Sequence, residues 1–351
     1  MNRKEEKNKS IQGLRGIASC VVFLGHFASM YSVQTIDCIR QLKPINLCFD
    51  GSISVVIFFV LSGFYICKQF DKRLGYWKFI YKRSKRLLPE FWISCVVGVI
   101  LCNTVGLNTF NGVKAFANGF WQERVSVLNF IKYLFLVGDY KLINPPTWTV
   151  RIEVNIMVFY GALMWGWNKL KTRIKGMKYN VEILVFGLFG FVSVLFEVLD
   201  FPIVNFHIMT MAIIGAVAQK IVSSNSENQM SKVVEVCLIV VSILMLDVKY
   251  IFEIENEMVN DYIMAVGAGI VVVLLYKGNY IKRCFSNAFL VWMGNCSYEF
   301  YLFHFLILLV FRCLAQSFDG KVILLITFIM SAFLANIVKY SVSTFRKNLE
   351  K

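Results

Sequence analysis

The sequence predicts an all-α integral membrane protein of about ten transmembrane helices, with both termini in the cytoplasm. Three observations predict it. Hydrophobic residues make up 57% of the 351, with 32 Phe, which is more apolar surface than a soluble domain of this length can bury. The apolar residues gather into runs of membrane-spanning length. The Lys and Arg, 37 against 22 Asp and Glu, fall in short clusters at alternate connections, as the positive-inside rule expects. The net charge of +15 therefore reads as topology, and no nucleic-acid partner is expected.

Taken in order, the runs lie near 11–31, 53–70, 91–107, 150–167, 181–199, 201–222, 233–246, 258–276, 287–311 and 322–342. A shorter run near 127–137 is too brief to cross and suits a re-entrant segment. The basic connections are MNRKEEKNK, the 68–90 segment, NKLKTRIKGMK, KGNYIKRC and the tail FRKNLEK. Between them lie DCIRQLKPINLCFDG, the 108–149 loop, LDFP, EIENEMVND and QSFDG, which become the outer connections. The segment 223–232 is only weakly basic for an inner loop. The first run is about 20 residues long and has no A-x-A-like exit, so it is expected to remain as a signal anchor. Of the ten Cys, most lie inside the runs as small apolar residues, whereas Cys38 and Cys48 share an outer loop in which an oxidising compartment allows a disulfide. Cys and His show no metal-ligand spacing, so no metal is expected.

Ionisable residues inside the runs carry the functional signal. Arg15 and His26 lie about 20° apart around the first helix and about 16 Å apart along it. Each has a bland alternative: Arg15 can snorkel to the inner headgroups, and His26 can bond a neighbouring helix carbonyl. Glu153 falls about one turn below the outer surface and His304 in the outer half of the ninth run. With His26 they place three titratable groups at similar depth, as a buried acid/base site requires. His207, in FPIVNFHIM, reads as structural. Arg83, Lys85 and Arg86 precede Pro89 on the cytoplasmic side, where Arg forks suit phosphates and a basic cluster also serves topology alone.

Five blocks then occur in order: IQGLRGIASCVVFLGHF, FFVLSGFYI, YKRSKRLLPEFW, PTWTVRIE and GNCSYEFYLFH. Together they resemble the membrane acyltransferase-3 family, whose first helix carries Arg and His separated by ten residues. The resemblance runs over about residues 11 to 305 and departs at Gln12, where the family usually has Asp. It implies a cytoplasmic N-terminal segment over 1–10, one membrane acyltransferase domain over 11–345 and a cytoplasmic tail over 346–351. Some relatives append an extracellular esterase-like domain; this chain resembles the stand-alone type.

The implied activity is transfer of an acyl group, most often acetyl from acetyl-CoA, to a hydroxyl of a cell-surface polysaccharide or lipid-linked sugar. Acyl-CoA is then a donor substrate, no permanently bound cofactor is expected, and the place is the plasma or inner membrane. Besides membrane lipids, partners are the acyl-CoA, the glycan and glycan-assembly proteins. Arg83 and Arg86 would hold the donor phosphates and Arg15 would hold the donor partway. His26 would take the proton from the sugar hydroxyl, with Glu153 orienting the ring; an acyl-His stage stays open. Trp148, Ser62 and Tyr298 would serve the acceptor side and His304 would support His26, although Trp and Tyr near an interface also act as belt anchors. The rival reading is a transporter or flippase of lipid-linked sugars, since intramembrane Arg, His and Glu also mark substrate pathways. Against it stand the lack of internal symmetry and of paired Gly/Pro-interrupted helices.

Overall fold

The computed structural model describes residues 8–70, 75–106, 110–173, 206–224, 230–315 and 317–349. Among them no strand forms. The main helices are α1 (Lys9–Met30), α2 (Gly51–Phe70), α3 (Tyr76–Val105), α4 (Val127–Leu134), α5 (Trp148–Asn155) and α6 (Gly161–Arg173). They continue as α7 (Phe206–Ser223), α8 (Lys232–Leu246), α9 (Glu257–Lys277), α10 (Ala288–Asn295), α11 (Ser297–Phe311) and α12 (Gly320–Leu349).

Among the described residues, six helical stretches are long and apolar enough to cross a membrane: α1, α2, α3, α9, Ser297–Leu314 and α12. The 201–222 run is described only from Phe206, as α7, and is not among these six, and three other expected runs take another form. The 150–167 run is divided into α5 and α6 by a π-turn over Ile156–Tyr160. The 287–311 run breaks at Cys296, just after Gly294 and Asn295, two weak helix formers. The 233–246 run yields α8, only 15 residues long. The 181–199 run lies outside the described residues.

The chain divides into two compact units, the first made of Met1–Ser54, Lys85–Arg151 and Ser286–Lys351, the second of Val55–Ser84 and Ile152–Phe285. In the first unit α1 starts from Asn8, whose side chain accepts from the Ser10 backbone N–H. It crosses α10 with the backbones in contact. A Cβ on Gly16 would sit 2.2 Å from the Leu290 carbonyl, and one on Gly294 only 1.7 Å from that of Gln12. Only glycine fits at both points. α1 is also packed against α11, which pairs with α12.

α3 has 30 residues, about 45 Å of helix, so it outreaches a hydrocarbon core of about 30 Å. The basic stretch before Pro89 is part of this helix, where the sequence reads as a connection. After α3 the chain turns back along it. Val125 and Asn103 exchange hydrogen bonds near the helix end, while the Leu134 carbonyl accepts from Trp92 Nε1 at 3.2 Å and Tyr133 stacks on Phe91. Asn103 and Trp92 are about 16 Å apart along the helix, so the segment leading to α4 runs back beside α3 over that distance. Arg312, 1% exposed at the end of α11, pins this return by donating to the carbonyls of Gly106, Ala117 and Phe120.

In the second unit α2 and α7 make the same kind of close approach. A Cβ on Gly63 would lie 1.8 Å from the Ala212 carbonyl, and one on Gly215 would lie 1.9 Å from that of Val60. α9 packs beside both α7 and α8, with Thr210 donating to the Tyr262 hydroxyl at 2.9 Å.

Candidate functional site

Two polar clusters contain most of the residues singled out from the sequence. Each lies within one unit.

The first cluster is built on α1, α3, α11 and α12. Because α1 is unbroken from Lys9 to Met30, Arg15 and His26 keep the shared face that their spacing predicts. His26 is partly exposed, and its Nδ1 lies 2.8 Å from Nε2 of His304, the rings nearly parallel with centroids 5.1 Å apart. His304 is fully buried, and its other nitrogen, Nδ1, lies 2.8 Å from the Tyr301 carbonyl and 3.2 Å from that of Phe300. Apolar rings enclose the pair: Phe305 meets His26 edge-on at 4.9 Å, and Phe300 lies parallel to His304.

About 16 Å along α1 from His26, charged groups form a layer around Arg15. Glu299 is 7% exposed and within electrostatic reach of Lys339, Arg15 and Arg86. Glu90 is buried and held by Arg346, whose Nη2 lies 2.8 and 2.6 Å from the two carboxylate oxygens. Arg346 also donates to the Arg86 carbonyl, while the Arg86 side chain is exposed. The layer holds more cations than carboxylates, which suits a polyanion. Tyr298 donates to the Leu87 carbonyl at 2.8 Å and so ties α11 to α3. Gln12 is buried at the α10 crossing.

The second cluster joins α2, α3 and α5. Arg83 Nη2 donates to Glu153 Oε1 and to Ser62 Oγ, the latter at 3.1 Å. Ser62 in turn donates to the same carboxylate oxygen at 2.9 Å. The Arg83 and Glu153 side chains are 14% and 18% exposed, and the guanidinium rests over the Phe79 ring. This contact corrects the depths read from the sequence. Arg83 at the cytoplasmic face and Glu153 one turn below the outer surface cannot both hold for two side chains that touch. The positive-inside rule places a segment, not each residue of a helix that enters the membrane.

Of the three titratable groups expected together, the structure joins His26 to His304; Glu153 has Arg83 and Ser62 as its partners. Trp148 opens α5, partly exposed. Cys38 and Cys48 are both exposed thiols and form no disulfide with each other. The His207 side chain lies outside the described set. Sequence reasoning missed Glu299, Glu90, Lys339 and Arg346. The signal for Glu299 was available: it is a carboxylate inside the apolar stretch SYEFYLFH, and an intramembrane ionisable residue marks function by default.

A family profile described as an acyltransferase domain, Acyl_transf_3, matches residues 8–340, nearly the whole chain. Searches of curated proteins and of solved structures return no match.

Proposed function

Because the chain belongs to the membrane acyltransferase-3 family, we propose that it transfers an acyl group, acetyl from cytoplasmic acetyl-CoA, to a hydroxyl of a cell-surface polysaccharide or lipid-linked sugar. The observation that carries the chemistry is the contact of 2.8 Å between His26 and His304, two histidines from the family-like blocks brought together across 278 positions. As a neutral imidazole His26 is suited to general-base work near neutral pH. It takes the proton of the sugar hydroxyl while the oxygen attacks the thioester carbonyl. The C–S bond then breaks, and the imidazolium returns the proton to the leaving sulfur, giving the ester and the free CoA thiol.

The layer around Arg15 supports the donor end of this reading. The exposed Arg86, with Arg15 and Lys339, offers cations for the phosphates of acyl-CoA, and an extended pantetheine arm spans a distance of the order that separates Arg15 from His26. Arg83, engaged by Glu153, is assigned to holding α2, α3 and α5 together rather than to direct phosphate contact. Trp148 is assigned to the acceptor side. The protein spans the cell membrane with both termini cytoplasmic, so the donor layer faces inward and His26 is reached by the acceptor from outside.

The test is a mass comparison of surface glycans from cells with and without the gene. An acetyl increment that appears only with the gene is the expected result. Identical glycans, together with no CoA release by the purified protein, would refute the assignment.

A further inference from the structure

We infer that His304 is a positioning residue that fixes which nitrogen of His26 is free to accept a proton, the task carried out by a carboxylate in many hydrolytic triads. The inference rests on the proposed role of His26 as the base. It follows from a chain of hydrogen bonds in which only one arrangement of protons is allowed. The carbonyl oxygen of Tyr301, 2.8 Å from His304 Nδ1, can only accept, so Nδ1 carries the hydrogen. In a neutral ring Nε2 is then bare and must accept. Its partner at 2.8 Å is His26 Nδ1, which therefore donates and carries the hydrogen of that ring. What remains is His26 Nε2, unprotonated on the side away from His304 and available to a substrate hydroxyl.

Left to itself, an imidazole in water favours the opposite tautomer, with the hydrogen on Nε2. His304 thus selects the form whose bare nitrogen is the outward-facing Nε2, and it starts from a backbone carbonyl that cannot change its own protonation. When His26 becomes an imidazolium, its Nδ1 hydrogen still points at the His304 lone pair, so the hydrogen bond survives the change of charge. Full burial of His304 keeps water from competing for its Nε2.

The chain has three histidines, so nitrogen-15 labelling of histidine in the purified protein in lipid gives assignable signals. The wild type is expected to show His26 with a protonated Nδ1 and a bare Nε2. In His304→Leu the His26 signals should shift toward the Nε2-protonated form. The turnover number should fall by about 10²-fold, with the KM for acyl-CoA unchanged. His304→Gln presents an amide oxygen near the position of Nε2, and it should restore part of both the tautomer and the rate. A His26 tautomer unchanged in His304→Leu, or a wild-type turnover number in that variant, would overturn the inference. The NMR readout does not depend on activity, so the dyad can fail while His26 stands. An active His26→Ala would instead sink the base assignment and leave the tautomer result untouched.

Discussion

His26 and His304 meet through two rings that need carry no charge, anchored on a backbone carbonyl, whereas Arg83 and Glu153 meet as opposite formal charges bridged by Ser62. Each cluster uses one helix that glycine draws close to a neighbour, α1 against α10 at Gly16 and Gly294 in one unit and α2 against α7 at Gly63 and Gly215 in the other. The packing is alike and the chemistry is not. A neutral imidazole can gain and lose a proton near neutral pH at small cost. A largely buried ion pair resists any change in charge, because removing one partner strands the other in a poor solvent. Under the proposed function the first cluster serves turnover and the second holds three helices in place.

The sharpest break of that contrast is His26→Ala. Cells carrying it should show surface acylation reduced by about 10² to 10⁴-fold with unchanged protein in the membrane, because only the proton acceptor is lost. Near-normal acylation would move the imidazole pair into the structural class. Next comes Glu153→Leu, expected to destabilise the protein by about 3–5 kcal/mol through the stranded Arg83, read as a lower Tm and less membrane-inserted protein. The double change Arg83→Met with Glu153→Leu should recover most of that loss. If it recovers stability but no activity, the charges themselves take part in the reaction and the contrast fails. Arg15→Lys should keep the fold and raise the KM for acyl-CoA several-fold, since an ammonium lacks the planar fork that suits phosphate. An unchanged KM would reduce Arg15 to a snorkelling anchor.

The smallest effect concerns the segment at α4, which the sequence reads as re-entrant. Phe135 is 75% exposed just beyond α4, which lies against the lipid-length helix α3. A spin label at that position should be reached by dissolved oxygen in the bilayer rather than by a water-soluble relaxant. It should leave activity within twofold of the wild type, far less than the losses above. The opposite accessibility would place the segment in water.

Much of this was legible because helical periodicity and hydropathy are local. The six helices of membrane-spanning length, the brief run near 127–137 and the shared face of Arg15 and His26 each follow from residues within one continuous stretch of chain. The partners were not legible. His26 and His304 are 278 positions apart, and Glu153 lies 70 positions from Arg83, so nothing in the spacing says which carboxylate or imidazole meets which ring. Hydropathy also misplaced the start of α3, since Lys and Arg in YWKFIYKRSKR lower the average without breaking a helix that their side chains tolerate well. The break at Cys296 follows Gly294 and Asn295, whose weak helix preference a hydropathy window averages away, while the close approach of α1 to Gly294 is a tertiary contact that the apolar run conceals.

The most direct test of the central claim is CoA thiol release from acetyl-CoA by purified protein in lipid, supplied with glycan from cells lacking the gene. Wild type, His26→Ala and the Arg83→Met with Glu153→Leu double variant are measured side by side. The account predicts release by the wild type and the double variant and almost none by His26→Ala. Equal release by His26→Ala, or a stable double variant that releases nothing, would contradict it.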